Sequence, residues 1–211
     1  MATIAGPPKQ DRSRDSLERL LSAGLEMLEE DGLEGFTIAA VAKRAGIGIG
    51  LVYRRFEDKN ALLAGHFERF AQQTSADLQP AIRELESADA TLEEMLPEFT
   101  MLVAAMFRRR ERLTRAFVYA NRGDTSLAAA VEEGIRPMAT QMQDLLLAHR
   151  DEFRCADPEL AVAFCYQQMV NAFTALLTST NRVHAEIGWE TSIDQLSLMT
   201  LAHLTRDPLT S

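Results

Sequence analysis

The sequence predicts an all-α protein, with an N-terminal three-helix domain that carries a helix-turn-helix and a C-terminal helical bundle with a dimerising four-helix interface. Two observations predict this fold class. Leucines recur at spacings of three and four from Leu17 to Leu28, which makes one apolar stripe along a helix. No segment shows sustained alternation with β-branched residues, so no sheet is expected. The domains are expected to cover residues 1–58 and 59–211.

Start and stop signals place each helix. A polar, proline-bearing arm over residues 1–11 is expected to be disordered. Thr37 is a good N-cap for the second helix, and Gly46 can take the left-handed conformation that ends it. Asp58 caps a long helix that follows a third, short one. The helices are expected at 13–30, 38–45, 49–55, 59–86, 91–107, 110–121, 125–150, 157–182 and 189–206.

The charge of the chain is unevenly distributed. The formal net charge of the 211 residues is −9. Residues 1–70 carry ten Lys/Arg and eleven Asp/Glu, so the acidic excess belongs to the rest of the chain. Within 43–59, five basic residues oppose two acidic ones. This asymmetry indicates one end that faces DNA and a body that DNA repels. No apolar run approaches the roughly 20 residues of a membrane span, and no secretory signal is visible, so a cytoplasmic protein with no membrane partner is expected.

Ala42, Gly46 and Val52 stand at a spacing typical of a helix-turn-helix. Ala42 is small enough for two helices to cross closely, Gly46 accepts the backbone angles of the turn, and Val52 fills the space between the helices. The capped helix before this triplet and the basic, aromatic helix after it strengthen the assignment. The second helix of such a motif places its N-terminal residues against base edges in the major groove.

The stretch from Thr37 to Lys59, TIAAVAKRAGIGIGLVYRRFEDK, resembles the DNA-binding domain of the TetR (tetracycline repressor-like) family. The typical run of that family is T-x-x-x-I-A-x-x-A-G-V-S-x-G-x-L-Y-x-x-F-x-x-K. The resemblance covers the first quarter of the chain by motif and the whole chain by helix order and length. Two positions depart from it: Gly48 replaces the usual Ser or Thr cap, and Arg55 replaces a common His or aromatic residue. The missing cap weakens the third helix by at most ~0.5 to 1 kcal/mol, so this helix is expected to order fully only on DNA.

The resemblance implies a homodimer that binds a palindromic operator in double-stranded DNA. It implies that Thr37, Tyr53 and Lys59 bind phosphates. Gly50 would let the backbone approach the groove closely, between apolar side chains that can touch thymine methyl groups. The two arginines after Tyr53 either read bases or bind phosphates, and both interpretations stay open. The predicted DNA-binding residues are Thr37, Lys43, Gly48, Ile49, Gly50, Leu51, Tyr53, Arg54, Arg55 and Lys59.

The segment 160–177 is apolar on almost every face, so it must be buried on both sides. One side is expected to face the core and the other a twofold partner, joined there by the last helix. Two such helices from each subunit would form the four-helix interface, as the resemblance also implies. The apolar residues expected on the last helix are Ile193, Leu196, Met199, Ala202 and Leu204.

The middle helices are rich in methionine and aromatic residues, with Pro97 and Pro137 inside helical patterns. Such residues usually form ordinary core, but prolines separate helices locally and leave room for an apolar cavity. The resemblance implies a small-molecule effector here, whose binding would bias the helix that starts at Lys59. The predicted ligand-binding residues are Met95, Phe99, Met106, Tyr119, Met138, Met142, Gln167, Gln168 and Asn171.

We therefore expect a transcription repressor that a small, largely apolar effector releases from its operator. The same fold could instead act as a constitutive DNA-binding or protein-interaction module without a ligand. An all-helical enzyme is the rival from another class. Its candidate acid/base pairs are Glu93 with Glu94 and His149 with Asp151. The residues of each pair are one or two positions apart on a helix and point in different directions, so neither pair is convincing. The cysteines and histidines show no metal-ligand spacing. No catalysis, cofactor or metal is expected.

Overall fold

The computed structural model describes residues 9–121, 125–180 and 182–207. Within these ranges every regular element is helical, which confirms the all-α fold class. The elements are α1 (Lys9–Asp31), α2 (Ile38–Ala45), α3 (Ile49–Tyr53), α4 (Lys59–Ser87), α5 (Leu92–Arg108), α6 (Glu111–Asn121), α7 (Thr125–Leu147), a 3-10 turn (Arg150–Glu152), α8 (Pro158–Thr178) and α9 (Arg182–Thr205). The predicted disordered arm lies largely outside the described residues, and α1 already begins at Lys9.

The predicted caps are confirmed. The Thr37 hydroxyl accepts a hydrogen bond from the Ala40 backbone N–H at 3.1 Å, and an Asp58 carboxylate oxygen accepts one from the Ala61 N–H at 2.8 Å. These side chains satisfy donors that the first helical turn leaves without a partner. Gly46 follows α2 with φ 64° and ψ 37°, the left-handed conformation expected of a glycine at a helix end.

Several helix ends differ from the prediction, among them the end of α7, which lies at Leu147 rather than at 150. Helix α3 ends at Tyr53, two residues before the expected end, and α8 ends at Thr178 rather than at 182. The expected break at 186–188 is present as a non-helical Gly188, with φ 68° and ψ 179°, but helical turns also precede it within α9. Because a left-handed φ suits glycine, the break falls at this residue.

Two hydrophobic clusters share α4. The smaller cluster contains the buried residues of α1, α2 and α3 together with Phe67 from the first half of α4 and Leu113 and Phe117 from α6. The larger cluster joins the second half of α4, from Leu78 onward, to α5, α7, α8 and α9. Helix α4 therefore connects the helix-turn-helix to the body, and α6 packs against the same N-terminal core.

Among the described helices, α8 alone is long and apolar enough to cross a membrane by length and composition. Core helices of soluble proteins pass the same test. Here Val162, Met169 and Phe173 of α8 are fully buried in the larger cluster, so internal packing accounts for much of its apolar character.

Candidate nucleic-acid interface and ligand cavity

The helix-turn-helix is held together by the three residues that the sequence singled out. Ala42 and Val52 are 2% and 0% exposed, which places them in the contact between α2 and α3. The Ile47 N–H donates to the Ala42 carbonyl at 3.0 Å, and the Gly46 N–H donates to the Lys43 carbonyl at 3.2 Å. These bonds close the end of α2 and fix the direction in which the chain enters α3.

One face of α3 is open to solvent. Ile49 and Tyr53 are 45% and 54% exposed although both are large. No heavy atom lies within 4 Å of the position that a Cβ would take at Gly48 or Gly50. Gly48 precedes α3 in an extended conformation and provides no side-chain cap. Leu51 is partly buried. The short helix therefore presents backbone, two apolar side chains and a phenol to the outside.

The basic residues around α3 fall into two groups. Lys43, Arg54 and Lys59 are exposed, and among the described residues no salt bridge involves them. Arg44 instead binds Glu30 at 2.7 Å and Glu26 at 3.5 Å, both on α1. Its hydrogen bond lowers the pKa of the Glu30 carboxyl.

The Arg55 guanidinium points back towards α1, where it donates to the carbonyl oxygen of Ser13 at 2.6 Å and to the Ser13 hydroxyl. The structure therefore brings Arg54, but not Arg55, to the open surface. The sequence could not show this, because the two residues that meet are 42 positions apart.

His66 lies at the junction of α1 and α4 and is completely buried. Its Nδ1 is 2.7 Å from the carbonyl oxygen of Leu62, and its Nε2 is 3.2 Å from that of Leu20. Burial lowers the pKa of His66, although both carbonyl contacts act to raise it. A Cβ at Gly24 would lie 1.8 Å from Nε2, so only glycine fits there. The two helices are thus packed directly around an imidazole ring.

Arg110, at the start of α6, connects three elements. Its Nε donates to Glu29 Oε2 of α1 at 3.2 Å, and its Nη1 donates to Gln73 Oε1 of α4 at 2.9 Å. Its guanidinium carbon also lies 5.9 Å from the ring centroid of Phe70. No pattern in the sequence indicated that this arginine links α1 to α4.

A cavity of about 670 Å³ lies between α4, α6, α7 and α8, next to the end of α5. Met106 and Met138, two of the predicted ligand-binding residues, line it, and so does Pro137. Among the residues that the structure describes, the lining contains no Asp, Glu, Lys, Arg or His. It consists of Phe67, Phe70, Ala71, Gln72, Thr74, Ser75, Ala76, Gln79, Met106, Phe107, Thr114, Phe117, Val118, Asn121, Val131, Gly134, Ile135, Pro137, Met138, Tyr166, Val170 and Thr174.

The other predicted ligand-binding residues lie elsewhere. Phe99 and Met142 are fully buried in the larger cluster, and Met95 lines a separate, more polar cleft of about 640 Å³. The Tyr119 hydroxyl donates to the Thr178 carbonyl at 3.3 Å, outside the cavity lining. Gln167, Gln168 and Asn171 are exposed on α8.

The phase of α8 explains why its predicted polar residues lie outside the cavity. Tyr166, Val170 and Thr174, four residues apart, face the cavity, whereas Gln167 and Asn171 are hydrogen-bonded to each other at 3.0 Å on the next face. A shift of one residue rotates a side chain by about 100° around a helix. The contribution of α4, which supplies eight lining residues, was missed because its polar and aromatic positions were not considered.

Helices α8 and α9 share an exposed apolar face. Leu160, Phe164 and Met199 are 67%, 53% and 63% exposed, and they line a groove of about 860 Å³ together with Gln168. Leu204, expected on this face, is instead completely buried in the larger cluster. The backbone N–H groups of Arg154 and Cys155 donate to its carbonyl, which holds this turn against the body.

Comparison with known proteins agrees with this geometry. Residues 20–65 match the family described as "Bacterial regulatory proteins, tetR family". The HTH-type transcriptional regulator BetI of Burkholderia cenocepacia is 36% identical over 113 residues, which are 54% of this chain and 47% of BetI. The match of residues 20–65 places the helix-turn-helix domain of the chain in the TetR family. It spans about half the length of the curated relatives it matches.

Solved structures of TetR-family regulators share the fold along most of the chain. FadR of Thermus thermophilus, a TetR-family repressor solved in complex with lauroyl-CoA, has a TM-score of 0.68 at 20% identity and covers 92% of this chain and 98% of its own. A putative TetR-family regulator from Mesorhizobium loti has a TM-score of 0.65 at 22% identity, with coverage of 90% and 97%. At these identities the likeness concerns the fold.

Proposed function

We propose that this TetR-family protein is a cytoplasmic transcription repressor that binds a palindromic operator as a homodimer and leaves it when a small, largely apolar effector occupies the cavity. The observation that carries the proposal is the open face of α3, a short helix fixed by buried Ala42 and Val52 that exposes Ile49 and Tyr53 to solvent. A water-soluble protein gains no stability from exposing these side chains, so we assign them to contact with DNA.

In this proposal the contacts divide into positioning and reading. The hydroxyl of Thr37, which already accepts a bond from Ala40, donates to a phosphate, and Tyr53 and Lys59 bind phosphates beside it. Lys43 adds a further phosphate contact. Ile49, Gly50 and Leu51 form the edge that enters the major groove, next to Gly48, and Arg54 is the candidate for base reading.

We propose that Arg55 acts on DNA binding without contacting DNA, although the sequence predicted it as a DNA-binding residue. Because its guanidinium is hydrogen-bonded to Ser13, it ties α3 to α1 and so sets the angle at which α3 leaves the domain. Its effect on DNA binding is then indirect, through the position of α3.

The homodimer is proposed to form through the exposed face of α8 and α9. Leu160, Phe164 and Met199 would be buried against the same residues of a second copy, which is the usual arrangement of a twofold interface. Such a dimer would set the two α3 helices about 34 Å apart, as a palindromic site requires. We propose the domain division at residues 58 and 59, where the cap Asp58 meets α4.

The coupling between effector and operator is proposed to run through α4 and α6. Both helices line the cavity and both pack in the cluster that contains α1 to α3. Arg110 joins Glu29 of α1 to Gln73 of α4 and covers the ring of cavity-lining Phe70. An effector that moves Phe70 would therefore disturb the support of α1. Such coupling requires that the effector bind the two states with different affinities.

The test is selection of bound sequences from a random pool of duplex DNA, followed by binding measurements at several salt concentrations. We expect a palindromic site whose affinity falls steeply with salt. Tyr53→Phe should weaken binding similarly across sequences, whereas Arg54→Ala should relax the preference at one base pair of each half-site by about 1–3 kcal/mol. Absence of any salt-sensitive binding to duplex DNA, with and without candidate effectors, would refute the proposal.

A further inference from the structure

We infer that the cavity takes an uncharged aromatic compound bearing a hydroxyl group, and that this hydroxyl donates a hydrogen bond to Asn121 Oδ1. This inference rests on the proposed function, which supplies an effector but not its chemistry. It follows from three properties of the cavity: a described lining without charged side chains, one buried oxygen without a partner, and a wall of phenylalanine rings.

The described part of the lining carries no ionisable acid or base other than the phenol of Tyr166. Burial raises the pKa of Tyr166 to about 12, so that phenol is neutral at physiological pH. The nearby guanidinium of Arg110 is already paired with Glu29 at 3.1 Å. A ligand carboxylate or ammonium would thus lose its hydration without gaining an opposite charge, which disfavours its binding. The occupant is therefore uncharged.

Asn121, the last residue of α6, lines the cavity. Its Oδ1 is buried and has no hydrogen-bond partner, a property that it shares among the described residues only with Arg69 Nε. Two other polar side chains of the wall already have partners: the Thr114 hydroxyl donates to the Arg110 carbonyl at 3.0 Å, and Gln79 donates to Gln141 at 2.9 Å. Buried polar atoms in native proteins nearly always have partners. The missing partner of Asn121 is a donor supplied by the ligand.

The apolar wall favours an aromatic body. The rings of Phe70 and Phe117 are stacked, with centroids 5.4 Å apart and planes at 24°. Phe67 meets Phe117 edge to face, with centroids 5.2 Å apart. All three residues line the cavity. A further ring continues this arrangement, and each aromatic pair is favourable beyond the area that it buries.

The test uses three biphenyl compounds that differ only in the substituent at position 4: 4-hydroxybiphenyl, biphenyl and biphenyl-4-carboxylate. Binding to the full-length protein is measured by titration calorimetry. We expect 4-hydroxybiphenyl to bind about tenfold more tightly than biphenyl, as a hydrogen bond to an otherwise unsatisfied buried acceptor gives. We expect the carboxylate to bind at least tenfold more weakly than 4-hydroxybiphenyl.

The variant Asn121→Leu tests whether Asn121 causes the preference for the hydroxylated probe. It should remove the advantage of 4-hydroxybiphenyl over biphenyl while keeping the binding of biphenyl. Asn171→Leu makes the same change at an exposed asparagine of α8 that lies outside the cavity lining. This variant is the matched control and should keep the advantage. Thermal unfolding of both variants shows that each is folded.

Three results would overturn the inference: equal or tighter binding of the carboxylate, an unchanged hydroxyl preference in Asn121→Leu, or no binding of any of the three probes. The operator selection separates this failure from failure of the repressor proposal. If the protein binds its operator and a charged compound releases it from the DNA, the inferred ligand class is wrong, but the repressor proposal is retained. If no operator is bound at all, the repressor proposal fails whatever the probes do.

Discussion

Gly46 and Gly48 allow one substitution to be tested in two backbone conformations within a single turn. Gly46 has φ 64° and ψ 37°, in the left-handed region, whereas Gly48 has φ −69° and ψ 136°, which any residue adopts. At both positions the space that a Cβ would occupy is open to 4 Å. Serine at either position therefore meets no steric clash, and the difference between the two variants isolates backbone strain and capping.

The expected free-energy changes have opposite signs. Gly48→Ser places a good capping residue at the N-terminus of α3, which adds a few tenths of a kcal/mol. It also reduces the freedom of the unfolded chain, which adds about 0.4–1 kcal/mol, so the variant is stabilised by about 1 kcal/mol. Gly46→Ser costs about 1–2 kcal/mol for the left-handed conformation, and the same unfolded-state effect offsets only part of it. The two variants should differ by about 2 kcal/mol.

Thermal unfolding followed by circular dichroism measures this difference. For a chain of this length, 1 kcal/mol shifts Tm by about 2–4 °C, so Gly48→Ser should melt higher than the parent and Gly46→Ser lower, about 4–8 °C apart. Urea unfolding gives the same comparison as free energies. If Gly46→Ser were as stable as the parent, or if Gly48→Ser were destabilised, the turn geometry on which the helix-turn-helix depends would be wrong.

Three further outcomes follow from single residues. Gly50→Ala should stabilise the protein by up to ~1 kcal/mol, because glycine is a poor helix former. It should nevertheless weaken operator binding in a fluorescence-anisotropy titration, because the added methyl group stands where the backbone meets DNA. Tighter operator binding would contradict this. Burial lowers the pKa of His66 from 6.5, so the unfolded chain binds the proton more tightly than the folded one. The free energy of unfolding should therefore fall as pH drops below 6.5 and level off below the lowered pKa. If urea unfolding gave the parent and His66→Gln the same pH dependence, this prediction would be wrong. Phe164→Glu should yield monomers in analytical ultracentrifugation, whereas Met101→Glu, similarly exposed on α5, should stay dimeric; two dimeric variants would place the interface elsewhere.

Local signals predicted the helix-turn-helix well because its parts interact over short distances. Thr37 meets Ala40 three residues later, and Gly46 takes its left-handed conformation where α2 ends. Spacing and residue type are sufficient for such features. The fold class followed for the same reason, since helical periodicity is a local property of the chain.

The cavity could not be predicted in the same way. Its lining comes from four long helices and the end of α5, and each contributes according to its rotation about its own axis. Periodicity cannot distinguish Tyr166, which faces the cavity, from Gln167, which does not, without knowledge of which neighbour packs on which side. The pairing of Arg110 with Glu29, 81 residues away, is likewise set by tertiary packing. Residue type suggested Met106 and Met138, whereas Asn121 stands out only once its oxygen is seen to lack a partner.

Charge counting along the sequence overestimates the positive charge that faces DNA. Of the five basic residues in 43–59, Arg44 is engaged by two glutamates of α1 and Arg55 by Ser13. We therefore expect Lys43, Arg54 and Lys59 to provide the part of the DNA affinity that comes from release of counterions from the phosphates. Because the slope of log K against log salt changes by about 0.9 per phosphate contact, Lys43→Met should make the slope of a dimer shallower by about 2. Arg44→Met should leave the slope unchanged even if it lowers stability, since its charge is held by α1 in the free protein. Equal flattening in the two variants would mean that Arg44 exchanges its glutamates for phosphate on DNA, and that the α1 to α2 contact opens when the operator is bound.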